Sequence, residues 1–255
     1  MLWGDKDVVA EFSTDEFTDR GEQSAFATLG THCSGDVLDI GVGGGRTTRF
    51  LAGAARSYVG IDIAGSMLEL ARERCPGTDL RLGDVRDLHE YADESFDLVV
   101  FSFNGLDSLD HRDRARALAE MARVLAPDGR LLFSSLNQDG VSFDERPWTL
   151  RGFRTRRAWR HLALAARHPA TAAHGVGNYR RTRRLSEDGK GWARRPMRAH
   201  EFRFVVHFAT MEETVAEARS AGLDVVAAFA EDGTALDLGA AHTSADYVHF
   251  ICRRS

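Results

Sequence analysis

Two aspartates and a glycine-rich turn form the first pattern in this sequence with recognisable chemistry. Asp39 lies near the end of a short apolar run, glycines follow at positions 41, 43, 44 and 45, and Asp62 ends the next apolar run. Glycine lets a ligand approach the backbone closely and tolerates positive φ. A carboxylate about 20 residues after such a turn can accept hydrogen bonds from ribose hydroxyls. The pattern predicts a nucleotide-binding site.

Two common phosphate-binding patterns do not fit this turn. The dinucleotide fingerprint Gly-x-Gly-x-x-Gly needs a third glycine at position 46, where the chain has Arg46. A Walker loop needs Gly-Lys-Ser/Thr, which does not follow. What remains is a strand, a turn and a helix whose first N–H groups are unpaired.

The elements around this turn alternate between strand and helix. Apolar runs predict buried strands, and helical spacing returns between them. With right-handed crossovers, the order β-α-β-α-β-α-β-α-β makes a doubly wound parallel sheet that binds ligands outside the carboxyl ends of its strands. The predicted strands after the first are 57–61, 80–82, 95–105 and 130–137, the last following a helix over 110–126 and a Pro127-Asp128-Gly129 turn.

The sequence Asp39-Ile40-Gly41-Val42-Gly43-Gly44-Gly45, with Asp62, resembles motif I and the following acidic motif of class I S-adenosylmethionine-dependent methyltransferases. The run through Asn137, about half the chain, looks like that family, and the segments 101–105 and 134–137 look like its bacterial small-molecule subgroup. The resemblance implies an α/β, Rossmann-like, seven-stranded sheet. A closing helix, strand and strand at 211–221, 223–229 and 246–252 supplies one antiparallel strand, and a helix and hairpin are inserted after strand five.

The resemblance also implies S-adenosyl-L-methionine as cofactor, with S-adenosyl-L-homocysteine as product. Two open alternatives concern Arg46, which is a solvent-exposed arginine if it does not pair with the methionine carboxylate, and Met67, which is ordinary core if it does not pack on adenine. Asp84 is a turn cap if it does not accept from adenine. The expected contacts are Asp39 near the amino group, the backbone of Gly41 and Gly43, Arg46, Asp62 with Ile63 on the ribose side, and Met67, Asp84, Val85 and Phe101.

Candidates for handling the methyl acceptor follow strands four and five or lie in the insert. Asn104, His200 and His207 are the catalytic candidates, and Asn137 and Tyr179 are further residues placed to contact an acceptor. A general base is needed only if the acceptor is protonated. Each histidine has a purely structural alternative, and Asn104 can instead cap the following turn.

The chain divides into three predicted parts. Residues 1–35 form an N-terminal helical cap, residues 36–137 with 209–255 form the cofactor-binding core, and residues 138–208 form an arginine-rich insert. The insert is predicted to contain a helix over 150–167 and a hairpin whose first arm is 178–185 and whose second arm ends at Phe208. Guanidinium groups suit an anionic acceptor, with solvated arginines on an exposed lid as the alternative.

Composition narrows the remaining possibilities. The 255 residues carry a formal net charge of −5, which argues against nonspecific nucleic-acid binding by the whole protein. Cys33, Cys75 and Cys252 are scattered without a Cys-x-x-Cys pair, so the sequence predicts neither disulfides nor a metal site. No leader or membrane-spanning stretch is recognisable, and we expect a cytoplasmic protein, either a monomer or a homodimer.

The leading functional hypothesis is methyl transfer to an oxygen or nitrogen of a small, perhaps anionic, metabolite. One alternative is an RNA or protein methyltransferase that uses the basic insert, and another is a noncatalytic cofactor-binding partner. An NAD-dependent oxidoreductase has a similar sheet order, but the missing third glycine counts against it.

Overall fold

The computed structural model describes residues 18–148 and 169–255. Its main feature is a sheet of seven strands. These are β1 Asp36–Ile40, β2 Ser57–Asp62, β3 Leu80–Leu82, β4 Phe96–Phe101, β5 Leu125–Leu136, β9 Leu223–Ala230 and β10 Tyr247–Arg254. Their order in the sheet is β3-β2-β1-β4-β5-β10-β9. Strands β1 to β5 are parallel to one another, and β10 runs antiparallel to both β5 and β9. The predicted doubly wound sheet with one antiparallel strand is confirmed.

Helices cover both faces of this sheet because neighbouring residues of each central strand point to opposite sides. The helices of the described residues are α1 Arg20–Leu29, α2 Thr48–Ala54, α3 Gly65–Arg74, α4 His111–Val124, α5 Pro169–Thr182 and α6 Met211–Ser220. Leu38 and Val99 pack on the face that carries α4 and α6, whereas Val37 and Leu98 pack on the face that carries α1 and α2. This arrangement explains why the central strands are almost entirely apolar.

Strand β5 begins earlier than the sequence predicts. Helix α4 ends at Val124, and β5 starts at Leu125, so the predicted Pro127-Asp128-Gly129 turn lies inside the strand. The pairing of β4 with β5 shifts register between Phe96 and Leu98, and this irregularity accommodates the turn residues. The prediction of a separate turn was therefore wrong, although the strand itself was found.

The insert contains a second, three-stranded antiparallel sheet in the order β6-β7-β8. Its strands are β6 Glu187–Asp188, β7 Trp192–Pro196 and β8 Val205–Ala209, with a 3-10 turn at Arg198–His200 between the last two. The predicted helix over 150–167 lies outside the described residues.

The first arm of the predicted hairpin was wrong. Residues 178–182 end α5 and Arg183–Leu185 form a 3-10 turn, so this segment is helical and the hairpin begins only at β6. The Thr182 hydroxyl donates to the carbonyl of Asn178, four residues earlier, and to that of Phe202. Tyr179 and Thr182, three residues apart, are both buried. Spacing of three to four buried positions is that of a helix rather than a strand.

Helix α1 is fixed to the sheet at its N-terminus. Asp19 caps the helix by accepting from the backbone N–H of Glu22, and its carboxylate also accepts from the Tyr247 hydroxyl at 2.6 Å and lies 3.0 Å from His249 Nε2. Phe26 and Leu29 of this helix pack on the sheet, and residues 1–17 of the predicted cap lie outside the described residues. No helix in the described part of the chain is long and apolar enough to span a bilayer.

Candidate active site

The turn after β1 adopts backbone conformations that glycine favours. Gly41, Gly43 and Gly45 have φ values of 66°, 55° and 84°. A Cβ on Gly41 would lie 2.9 Å from the Phe101 ring, and a Cβ on Gly105 would lie 2.3 Å from the same ring. The Phe101 ring therefore fits between two glycines, and bare backbone forms this wall of the cavity.

Asp62 holds the turn in place. One carboxylate oxygen accepts from the N–H of Gly43 at 2.8 Å, and the other accepts from the N–H of Ala64 at 2.8 Å. Burial raises the pKa of Asp62, and the backbone donors oppose that shift by stabilising the charged form. A carboxylate has about four acceptor positions, so those not used by Gly43 and Ala64 remain for two ribose hydroxyls. Asp62 lines the cavity, as the sequence predicts.

Asp39 lies behind the turn and is not among the described residues that line the cavity. Its carboxylate is 1% exposed and accepts from Thr47 Oγ1 at 3.0 Å and from the Tyr58 hydroxyl at 2.8 Å. Burial raises the pKa of Asp39 to about 6. The expected contact between Asp39 and the cofactor amino group is therefore not supported by this placement, because the carboxylate binds the segment that leads into α2.

Arg46 lies at the cavity and is largely buried, so its interpretation as a solvent-exposed arginine was wrong. The guanidinium pairs with Glu22 of α1, whose side chain is fully buried, and donates to Ser102 Oγ at 3.1 Å. It also lies 4.7 Å from the centre of the Phe103 ring. Glu22 was missed by the sequence analysis because the two partners are 24 residues apart in different elements.

The residues expected to contact the nucleoside lie together on the cavity wall. Ile63, Met67, Gly83, Asp84 and Val85 all line it, and Met67 is at the same time a buried core residue. Asp84 pairs with Arg86 and accepts from its N–H at 2.9 Å, so the turn-cap alternative is also real. The bonds from Arg86 lower the pKa of Asp84 and keep it charged.

The loop after β4 is strained. Phe103 and Asn104 both have positive φ, at 56° and 59°, which is uncommon outside glycine and is associated with functional sites. The N–H of Asn104 donates to Ser134 Oγ at 2.6 Å. Its side chain makes no capping bond, so that alternative is wrong, and Asn104 Oδ1 has no hydrogen-bond partner among the described residues. Asn104 lines the cavity.

The other side of the cavity has a mainly apolar wall. Leu109 and Leu136 from the core face Met197 and Val206 from the insert, and Asp246 and Tyr247 close one end. His200 is the one catalytic histidine candidate that lines the cavity, and its ring stacks on Phe204 at 4.6 Å between centroids. Burial, assisted by Arg203, lowers the pKa of His200 to about 4. The imidazole is therefore neutral near pH 7.

Asn137 and Tyr179, the further residues predicted to contact an acceptor, do not line the cavity. Asn137 donates to the carbonyls of Thr243 and Ala245 and so has a structural role. Tyr179 packs edge-on against Trp148 and Phe202, outside this cavity.

His207, which was predicted as a catalytic residue, is fully buried between the insert and the core helices and is not among the described cavity residues. Burial and the nearby Arg114 lower its pKa strongly. The sequence prediction failed because alternate residues of a strand face opposite sides, and Val206, its neighbour in β8, is the one that faces the cavity.

Five arginines in the described part of the insert are paired with acids. Within residues 18–148 and 169–255, Arg46 is the only arginine that lines the cavity. The pairs are Arg146 with Asp144, Arg194 with Glu187, Arg195 with Asp188, Arg198 with Glu145 and Arg203 with Glu201. The expectation that insert guanidinium groups bind an anionic acceptor is not supported by any of these residues.

A single cavity of about 370 Å³ connects the glycine turn with the apolar wall. Such a volume is that of a small-molecule site. Sequence analysis missed several of its residues because they follow no strand-end or glycine pattern. These are Ser102, Phe103, Ser108, Leu109, Leu136, Ser142, Met197, Ala199, Val206, Asp246 and Tyr247.

Comparisons with known proteins agree with this geometry. A family model described as a methyltransferase domain matches residues 37–129. The methyltransferase GfsG of Streptomyces halstedii is 31% identical over 169 residues, which cover 62% of this chain and 59% of that protein. Residues 37–129 therefore form a methyltransferase domain, and the sheet order is the one that the class I S-adenosylmethionine-dependent type predicts. It spans about half the length of the curated relatives it matches. One of these is the ubiquinone biosynthesis O-methyltransferase of Hahella chejuensis, 36% identical over 112 residues, or 42% of this chain and 45% of that one.

Solved structures share the fold of this methyltransferase over nearly its whole length. The CcbJ methyltransferase of Streptomyces caelestis has a TM-score of 0.60 at 19% identity and covers 99% of this chain and 98% of its own. An S-adenosylmethionine-dependent methyltransferase from Mesorhizobium loti has a TM-score of 0.61 at 18% identity, with 94% and 100% covered. At such identities the similarity concerns the fold.

The residues present fit the family's cofactor, S-adenosylmethionine. A Cβ at Gly41 would meet the Phe101 ring at 2.9 Å, whereas one at Gly43 would meet only the Gly41 carbonyl oxygen, at 4.0 Å, and Asp62 has acceptor positions left for the ribose. Asp84 and Val85 line the same cavity as Asp62, and so does Arg46, whose charge is balanced by Glu22. The other residues predicted to contact the cofactor, Ile63, Met67 and Phe101, also line the cavity, whereas Asp39 does not.

Proposed function

We propose that this chain transfers a methyl group from S-adenosylmethionine to an oxygen or nitrogen atom of a small molecule with an apolar body. The single observation that carries the proposal is the continuity of the cavity. The same space is lined by Gly43 and Asp62 at one end and by Met197 and Val206 at the other. A donor and an acceptor can therefore occupy it together.

The bound cofactor supplies a methyl group on a positively charged sulfur, which a nucleophile displaces in line without a metal. The chain's own task is to align the two reactants, and such positioning can supply roughly 7–11 kcal/mol of the barrier. The Gly41–Gly45 turn and Asp62 hold the donor side. The strained Phe103-Asn104 loop lines the same cavity, and we assign to it the orientation of the acceptor.

The apolar wall supports an acceptor that is mainly hydrocarbon. Leu109, Leu136, Met197 and Val206 offer no hydrogen bonds to a charged group, and burial of apolar surface contributes about 25 cal/mol per Å². This replaces the anionic acceptor expected from the arginine content. An RNA or protein acceptor through the basic insert gains no support from Arg194, Arg195 and Arg203, because these arginines are paired with acids. The exposed arginines between positions 180 and 184 leave that alternative to the test below.

His200 is the residue best placed to handle the acceptor's proton. Its ring lines the cavity and is neutral near pH 7, so one of its two ring nitrogens is a hydrogen-bond acceptor for a hydroxyl or amine. General-base assistance of this kind contributes typically 10²–10⁴-fold, roughly, and is greatest when the base's pKa is near the working pH. A base with a pKa of about 4 acts mainly by orienting and polarising the acceptor.

The test is transfer of a radiolabelled methyl group into a cell extract separated into small-molecule, RNA and protein fractions. We expect label in organic-extractable small molecules with the parent chain and none with Asp62→Ala. Label confined to the RNA or protein fraction would contradict the proposed substrate class. Absence of S-adenosylmethionine binding by the parent in calorimetry would contradict the function itself.

A further inference from the structure

Three side chains from distant parts of the sequence converge beside the insert, outside the cavity. His111 is the first residue of α4, His207 lies in β8 and Glu217 lies in α6. His111 Nδ1 is 3.3 Å from His207 Nε2 and 3.2 Å from Glu217 Oε1, and the latter two atoms are 4.0 Å apart. Each side chain directs a metal-ligating atom toward the other two.

We propose that His111, His207 and Glu217 form a binding site for a divalent transition-metal ion of the zinc type. The point equidistant from atoms separated by 3.2, 3.3 and 4.0 Å lies about 2.1 Å from each of them. Zinc binds histidine nitrogen at about 2.0–2.1 Å and carboxylate oxygen at about 2.0–2.2 Å. Two imidazoles and one carboxylate are also a common zinc ligand set.

Glu217 is held in place by groups behind it. Arg114, fully buried, donates to Glu217 Oε2 at 2.8 Å and to Asp107 Oδ1 at 2.6 Å. Asp107 balances the charge of Arg114, so the second carboxylate, that of Glu217, keeps its attraction for a cation. Ligating carboxylates in metal sites are usually hydrogen-bonded in this way.

The site is accessible from one side only. His207 is fully buried, whereas the side chain of His111 is 39% exposed and gives an ion an entry path. Glu213 lies four residues before Glu217, on the same face of α6, and adds negative charge near the opening. Tetrahedral coordination requires the 4.0 Å separation between His207 Nε2 and Glu217 Oε1 to shorten to about 3.4 Å, and it then leaves a fourth position for water on this side.

The present side-chain arrangement needs one small change to bind a metal. The two imidazole rings are nearly parallel, at 7°, and their facing nitrogens are placed for a direct hydrogen bond. Rotation of the half-exposed His111 ring turns its lone pair toward the common point. His207 Nδ1 has no hydrogen-bond partner among the described residues, so water or backbone movement has to satisfy its N–H when Nε2 binds the ion.

Metal binding would connect the insert to two core helices beside the acceptor wall. His207 is adjacent in sequence to Val206, and His111 follows Leu109 by two residues, and both apolar residues line the cavity. Because the ion binds the folded chain, it raises the temperature of unfolding. The inference does not depend on the proposed methyl transfer.

Trp192 provides a direct optical reporter. Its ring stacks on that of His111, with centroids 4.3 Å apart and planes at 8°. We expect Ni²⁺ or Co²⁺ to quench its fluorescence on binding, and Trp192→Phe to lose that part of the signal while the other tryptophans remain.

The experiment titrates the chelator-treated full chain with ZnCl₂ by calorimetry, with no S-adenosylmethionine present. We expect one ion per chain and a rise in unfolding temperature, with affinity reduced at least about tenfold in His111→Ala and in Glu217→Gln. His89→Ala, which removes an exposed histidine far from the cluster in sequence, is the matched control and should bind as the parent does. Equal binding by His111→Ala, Glu217→Gln and the parent, or no binding by a folded parent, overturns the proposal. In that case the three residues form only a hydrogen-bonded network.

Discussion

The two ends of the cavity are built differently. The cofactor end consists of backbone at the Gly41–Gly45 turn and of two carboxylates, Asp62 at the end of β2 and Asp84 two residues after β3. The acceptor end consists of side chains from the loop after β4, the insert and the start of β10. Backbone sites are encoded by short local patterns, whereas side-chain walls depend on which residues meet after folding. The first kind is therefore visible in sequence, and the second is not.

The comparison is tested most strongly at Asp62. In Asp62→Ala the N–H groups of Gly43 and Ala64 lose their hydrogen-bond acceptor, and the ribose hydroxyls of the cofactor lose the carboxylate that we propose for them. Hydrogen bonds to a charged group are worth about 1.5–3 kcal/mol each, so we expect the dissociation constant for S-adenosylmethionine to rise at least about 10³-fold in calorimetry. Asp79→Ala, which removes a surface acid paired with Arg81, is the control and should bind normally. Unchanged affinity in Asp62→Ala would show that the cofactor end is not organised by this carboxylate.

The pair between Glu22 and Arg46 tests whether the cofactor end needs α1. Glu22→Ala leaves a largely buried arginine without its fully buried partner, and breaking such a pair costs about 3–5 kcal/mol. We expect the free energy of unfolding in urea to fall by about 3 kcal/mol. Glu94→Ala breaks an exposed pair with Arg254 and should cost less than about 1 kcal/mol. Equal effects in the two variants would mean that α1 is not anchored through this pair.

The acceptor end is tested at His200. We expect His200→Ala to bind S-adenosylmethionine with unchanged affinity but to transfer labelled methyl groups about 10²-fold more slowly. The exposed His89→Ala is the control and should transfer at the parent rate. A weaker affinity for the cofactor with a normal transfer rate would move His200 to the other end of the cavity.

The pKa of His200 also fixes the sign of the pH dependence. Because that pKa is lowered to about 4, the proton-accepting form is complete at pH 7 and is lost as the pH falls toward 4. The transfer rate of the parent should therefore stay level from pH 7 to about pH 5 and then decline. His200→Ala should lack that decline, and a decline centred near pH 6.5 in the parent would contradict the lowered pKa.

The smallest effect is expected at the glycine turn itself. Gly41 and Gly30 have similar positive φ values, 66° and 53°, but a Cβ meets the Phe101 ring at 2.9 Å at Gly41 and nothing within 4 Å at Gly30. Each change to alanine should lower stability by about 1 kcal/mol or slightly more through the left-handed backbone. Only Gly41→Ala should weaken cofactor binding, by about tenfold, measured by calorimetry. Equal binding in both variants would show that bare backbone is not required at this wall.

Particular residues show how far sequence reasoning reached. Asp62, Asp84 and the glycines line the cavity as predicted, because the end of a parallel strand fixes the position of the residue that follows it. Asp39, inside β1, was assigned to the cofactor by motif and instead binds Thr47 and Tyr58. His200 and His207 were indistinguishable in sequence, yet only His200 lines the cavity. The division of the chain into cap, core and insert remains a prediction.

The sequence by itself determined the parallel sheet, the glycine turn after β1 and the resemblance to the methyltransferase family. Alternating apolar runs and local glycine patterns specify these features because each acts over only a few residues. The tertiary structure alone decided the charge and shape of the acceptor end. There Arg194, Arg195 and Arg203 of the insert pair with acids, and the insert contributes Met197 and Val206 to the cavity wall instead. The same applies to the cluster of His111, His207 and Glu217. His207 and Glu217 lie 96 residues or more from His111 along the chain, and the three side chains meet only because three packed elements bring them together. Long-range packing of this kind leaves no periodic signal in the sequence.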